Sequence, residues 1–305
     1  MGLRYHGRVT ATSDRAFFWL LTAAALPAGA VAFALSRATH DIRLALADGP
    51  APVAGLCRDA LSYTLSPLAH VSYIGFGTLA VASTGLGLLS LLVSIYRTRR
   101  RIGRDLRTVR PVPASLRRRM RKAGLSRTVL VESAEPRAFT FGYLRPTVAI
   151  TTALIECLGE EELEAVLHHE AAHVRRRDPL RALVVGSLAR AFVFAPLLGE
   201  LARRFQAAKE MDADADVIAV MGSRRALVSA LLQVEESPQV GAVAPFAGML
   251  EARLASLEGE QPFPRERRRL LPAFVSAATV LGMAAGLFVI TTGAVDAHVL
   301  HVCSG

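Results

Sequence analysis

The sequence predicts a mainly α-helical integral membrane fold, in which three transmembrane helices surround one cytoplasmic α+β domain. Three observations carry this expectation. Uncharged runs occupy 16–36, 68–96 and 270–295, and a helix of about 20 residues crosses the hydrocarbon core. Short β-branched runs and then amphipathic helical patterns fill the region between the second and third runs. Inside that region lies Leu163–Asp178, LEAVLHHEAAHVRRRD, which contains His-Glu-x-x-His.

Taken in order, Arg4, Arg8 and Arg15 precede the first run. Its length exceeds the ~7–15 apolar residues of a signal peptide, so it reads as an uncleaved anchor with the N-terminus inside. Arg37–Pro67 is a loop of balanced charge, broken by Gly49-Pro50-Ala51-Pro52. The second run carries Gly75, Gly77, Gly85 and Gly87, small surfaces that let helices approach closely. His70 near its start reads as a packed or interfacial residue.

The net charge of +10 looks like a nucleic-acid signal until it is located. Arg97–Arg127 holds thirteen Arg or Lys against one acid, Asp105, leaving 23 basic and 25 acidic residues elsewhere. The basicity therefore belongs beside a membrane helix. It places that side in the cytoplasm, and no direct nucleic-acid binding is expected. Within it, Leu116–Leu125 reads as an amphipathic helix lying on anionic lipid.

The expected division is 1–96 for the membrane region, 97–127 for a basic juxtamembrane segment and 128–262 for the soluble domain. Residues 263–305 then hold a linker, the third span and a short external tail. In the domain, Val129–Ser133, Ala138–Gly142 and Thr147–Thr151 read as strands, and Ala153–Leu158 as a helix interrupted by Gly159. Leu180–Leu198 is apolar and near membrane length but contains Arg181 and Arg190. Because His173 and Glu210 must reach one metal, it cannot cross once, and it is too short to cross twice. It reads as a helix buried in the domain or dipping into the bilayer, with Pro196 opening the next helix. Ser223–Glu235 and Met249–Leu257 are further amphipathic helices. Three cysteines make no disulfide framework. Cys57 and Cys303 both fall outside in this topology and can pair there, whereas Cys157 stays free in the reducing cytoplasm.

The chemistry follows from spacing. His169 and His173 are four apart, so one helical face carries both imidazoles. In this pattern two histidines hold zinc and the intervening Glu170 activates water at the open coordination position. Glu160, Glu161 and Glu162 crowd the first turn and Arg175, Arg176 and Arg177 the last, as the helix dipole favours. Asp178-Pro179 suits a stop and a new N-cap. Glu210, in Ala208-Lys-Glu-Met-Asp-Ala-Asp-Ala-Asp, is the best third ligand for a single zinc per chain. Asp214, one turn on, is placed to accept a hydrogen bond from a ligand histidine. Asp212 and Asp216 are expected to face solvent. Together the motifs point to a zinc hydrolase.

In Ala138-Phe-Thr-Phe-Gly, the strand at 147–152, Glu161-Glu-Leu-Glu-Ala-Val-Leu-His-His-Glu-Ala-Ala-His and the Glu210–Asp214 pair, the chain resembles membrane-bound gluzincins. It is most similar to the BlaR/MecR antirepressor metallopeptidases and more distantly to HtpX-like proteases, over roughly 127–257. The resemblance implies zinc ligands His169, His173 and Glu210, general base Glu170 and an orienting Asp214. It also implies that Ala138, Phe139, Thr140, Phe141 and Gly142 form a strand that pairs with an extended substrate. The implied substrate is a protein: a cytoplasmic regulator such as a winged-helix repressor, or the chain itself. Two departures from the family pattern bear on sensing. Only 296–305 follow the third span, leaving no external penicillin-binding sensor, and two spans rather than more precede the domain. The alternatives are an HtpX-like quality-control protease and a non-catalytic membrane transducer. Intact Glu170 speaks against the latter, because a structural zinc has no use for it.

Overall fold

The computed structural model describes residues 12–25 and 67–235, with further positions at 28–29, 32, 36, 253–254, 257, 272, 274–279 and 281–282. Two compact units emerge: Met1–Trp19, Leu91–Gly186 and Leu201–Arg268 form one, and Leu20–Ser90, Ser187–Glu200 and Arg269–Gly305 the other. The expected loop at 37–66, the linker at 259–269, the tail, Cys57 and Cys303 lie outside the described residues. So does most of the 249–257 helix and of the third expected span.

The first unit is built on a four-stranded sheet, β1 (Val109–Arg110), β2 (Thr128–Val131), β3 (Ala138–Phe141) and β4 (Thr147–Thr151), in the order β1-β2-β4-β3. β2 and β4 run parallel, and β1 and β3 flank them antiparallel. The central strands are the β-branched runs Thr-Val-Leu-Val and Thr-Val-Ala-Ile-Thr, as expected of strands covered on a face. β1 lies in the basic segment and is too short and too polar to show periodicity. Its pairing is reinforced by Arg110, which donates to both carboxylate oxygens of Glu132 at 3.0 and 2.5 Å.

Helices cover the sheet. Residues 12–25 are helical (α1); α2 is Pro67–Asp105, α3 Ala114–Lys122, α4 Thr152–Cys157, α5 Glu160–Arg176, α6 Asp178–Ala191, α7 Pro196–Met221 and α8 Arg225–Glu235. The core joins Leu116 and Met120 of α3, Val148 and Ile150 of β4, Leu154 of α4 and Leu163, Leu167 and Ala171 of α5. The expectation that 116–125 lies on lipid is thereby corrected. Its apolar face is the floor of this core, and Arg119 and Lys122 reach Glu160 in the first turn of α5 and Glu164 in the second. Burying Leu116 and Met120 contributes about 1.5–3 kcal/mol each relative to leaving them in water.

In the second unit, α2 approaches α6 closely at Gly87, where a Cβ would stand 3.0 Å from Ala191 Cβ. Arg190 donates to Ser90 Oγ at 2.9 Å, and the Leu197 N–H donates to Ser276 Oγ at 3.0 Å. The stretch Val81–Thr108, made of the C-terminal part of α2 and the 3-10 turn that follows it, is long and apolar enough to cross a membrane; Val81, Leu86, Leu88 and Leu89 are exposed on it. α6 has 14 residues, about 21 Å, which falls short of a ~30 Å hydrocarbon core. Pro196 opens α7, as the sequence predicts.

Candidate metal centre

Helix α5 shows two stripes. Leu163, Leu167 and Ala171 pack towards the sheet. The other stripe, Ala165, His169 and His173, continues from a second cluster that contains Val217 and Leu227. α7 runs antiparallel along it, so Val217 meets Ala165, Asp214 meets His169, and Glu210 meets both histidines. Alanines at 208 and 213 are fully covered there.

The convergence is tight. His169 Nε2 lies 3.4 Å and His173 Nε2 3.6 Å from Glu210 Oε2, and the two Nε2 atoms are 3.1 Å apart. One ligand atom from each residue falls within 4.8 Å of the others. Atoms each ~2.05 Å from a tetrahedral zinc stand about 3.4 Å apart, so the donor set fits that ion in type and in spacing. Each Nδ1 meanwhile faces a carboxylate. His173 Nδ1 and Asp178 Oδ2 are 2.7 Å apart. His169 Nδ1 is 3.0 Å from Asp214 Oδ1, a close contact bent away from a straight hydrogen bond. A proton held on Nδ1 leaves Nε2 as the free donor atom.

The electrostatics reflect four ionisable groups buried together. Burial disfavours the charged form of His173, yet Asp178 and Glu210 outweigh it and push the pKa up to about 10. His169 is raised against the same burial by Asp214 and Glu210. Burial would raise Glu210, but the two histidines hold it well below the usual carboxylate range. Asp214 is likewise lowered against burial by His169 and Arg253.

Glu170 is buried beside the ligands, and the Thr140 hydroxyl on β3 donates to its Oε2 at 2.7 Å. The remaining strand candidates, Ala138, Phe139, Phe141 and Gly142, lie along and just after β3. Two expectations need correction: Asp212 is buried and accepts the Ser13 N–H at 2.9 Å, and Asp216 accepts from Arg175 and Arg176 at 2.6 Å each. α7 is covered on more than one face, which a helical wheel cannot show. Sequence reasoning also missed Asp178 as a partner of His173. Five residues on is the wrong face of a continuous helix, but Arg177 takes a left-handed conformation (φ 53°) and folds Asp178 back. Arg253, donating to both Asp214 oxygens at 2.8 and 2.6 Å, carries no local signal at all.

Among curated proteins, the chain is similar to the protease HtpX homolog of Pelotomaculum thermopropionicum, 40% identical over 81 residues, 25% of this chain and 27% of the relative. It is also similar to the HtpX homologs of Acidiphilium cryptum (29% over 150 residues; 38% of this chain, 52% of the relative) and Ralstonia nicotianae (29% over 160 residues; 41% and 55%). The chain thus spans between about a quarter and just over half the length of these relatives. No solved structure matches it. Residues 71–257 match the family model described as BlaR1 peptidase M56. That match covers more than half of the chain and encloses every residue of the His-His-Glu centre, so the chain belongs to the BlaR1 peptidase M56 family.

Proposed function

We propose that this chain is an integral-membrane zinc endopeptidase whose active site faces the cytoplasm. The convergence of His169, His173 and Glu210, with Glu170 beside them, is the observation that carries the reading. A zinc ion held by His169, His173 and Glu210 would supply Lewis acidity and would acidify a bound water. Asp178 and Asp214 keep the two imidazoles turned with Nε2 inward. Glu170 takes the proton of the attacking water and returns it to the departing amine. β3 stands at the edge of the sheet, and a substrate segment adds to that edge as a further strand. Proton transfer of this kind contributes roughly 10²–10⁴-fold to the rate.

The substrate we favour is a cytoplasmic regulator, such as a winged-helix repressor, or the chain itself. The bilayer and one zinc per chain complete the set of partners. The local identity to HtpX homologs supports a second reading, turnover of damaged membrane proteins. Purified protein incubated with folded cytoplasmic candidates and with misfolded membrane proteins separates the two by which class is cut. Glu170→Gln should keep its zinc and lose cleavage in either case. A Glu170→Gln protein that still cuts would remove the base role.

A further inference from the structure

We infer that Thr140 is a positioning residue that ties substrate docking to the alignment of Glu170. This deepens the peptidase reading and rests on it. The Thr140 hydroxyl donates to Glu170 Oε2 at 2.7 Å. Among the described residues Oε1 accepts no hydrogen bond, so Thr140 fixes one oxygen and leaves the other to receive a proton. A carboxylate on a helix has three rotatable bonds. A hydroxyl held by a strand removes most of that freedom without adding charge.

The register places the same residue at the docking edge. β3 pairs with β4 such that Ala138 opposes Ile150 and Thr140 opposes Val148. The Thr151 N–H donates to the Arg137 carbonyl at 3.0 Å, which makes that pair a hydrogen-bonded one. Bonded and non-bonded pairs alternate in an antiparallel ladder. Phe139 and Phe141 therefore spend their backbone groups on β4, whereas those of Ala138 and Thr140 point to the open edge. A substrate strand adding to β3 bonds the backbone of the residue whose side chain holds the base. Docking in register and aligning Glu170 become one event, and a segment bound out of register leaves the base loose.

The test uses the full-length protein in detergent, a fluorogenic casein-derived peptide as substrate and its reduced-amide form as a non-cleavable ligand. Thr140→Val keeps the shape and the strand propensity but removes the donor; Thr140→Ser restores the donor. Thr140→Val should lower kcat roughly ten- to a hundredfold, the scale of a misplaced catalytic group. KM, reduced-amide affinity, zinc per chain and the thermal midpoint should stay within about twofold or a degree or two of wild type. Thr140→Ser should recover most of kcat. If Thr140→Val loses its zinc or its folding transition, Thr140→Ala is read in its place by the same criteria. A change in KM alone, an unchanged kcat, or a serine variant as slow as valine overturns the role of Thr140. A wild type that retains no zinc and cuts no peptide overturns the peptidase reading itself, and this inference with it.

Discussion

At the scale of single residues, the centre depends on side chains that never touch a metal. Arg177 adopts φ 53°, a conformation that costs an L-residue about 1–2 kcal/mol. That strain returns Asp178 to His173, 2.7 Å away. Asp178→Asn should raise the zinc dissociation constant about 10–100-fold, as losing such a partner typically does, with Asp214→Asn close behind. Glu210→Gln should weaken retention further still, and Asp212→Asn should leave it nearly unchanged, because Asp212 is bonded to Ser13 instead. Competition with a fluorescent chelator reads all four; equal losses at Asp212 and Glu210 would undo the ligand assignment. Acidity enters through His173. Its folded metal-free pKa of about 10 exceeds the ~6.5 of an unfolded chain. The proton on His173 therefore stabilises the metal-free fold fully below about pH 6.5, and that contribution is lost as pH rises through about 10. Zinc requires the neutral ring. Stripping the metal should thus cost less thermal stability at pH 6 than at pH 9, measured by melting with and without chelator. A gap that widens on acidification contradicts the arrangement.

Among the elements, α3 and the β3–β4 turn show how tertiary partners redefine local patterns. α3 has the composition of a lipid-surface helix, with five of its nine residues basic and Leu116 and Met120 as its large apolar residues. Its apolar side is nonetheless closed by α5 and β4. Met120→Ala should therefore cost about 2–5 kcal/mol in denaturant unfolding of the detergent-solubilised protein, the price of a core cavity. A loss below about 0.5 kcal/mol, as expected of an exposed position, would return α3 to the membrane surface. Gly142 ends the candidate docking strand at φ 88°, and a Cβ there would stand 2.7 Å from the Arg145 carbonyl oxygen. Gly142→Ala should destabilise by at least about 1–2 kcal/mol. It should also impair peptide cleavage more than zinc retention, since β3 moves and α5 does not.

For the whole molecule, the expected path keeps 127 and 200 on one side of the bilayer. Alkaline phosphatase and fluorescent-protein fusions after Arg127 and after Glu200 should both report cytoplasm, and an external readout at Glu200 would require another route to the metal. Among the described residues α2 is the helix long and apolar enough to make one crossing. The sequence by itself determined whatever depends on spacing along a single element. His169, Glu170 and His173 follow from helical periodicity, the central strands β2 and β4 from their β-branched runs, and the start of α7 from Pro196, whereas the two-residue β1 left no signal. It also pointed to Glu210, because metal chemistry demands a third ligand and an acidic helix offered one. Only the tertiary structure decided which surfaces are covered. Asp212 turned inward because α1 reaches it through Ser13, and α3 became core because a sheet lies beneath it. Asp178 joined the site through a helix break, Arg253 from 39 residues beyond the carboxylate it grips, and Thr140 from a strand 30 residues before the base. Periodicity reports which residues share a face, whereas the identity of whatever packs on that face is a property of contacts far apart in the chain.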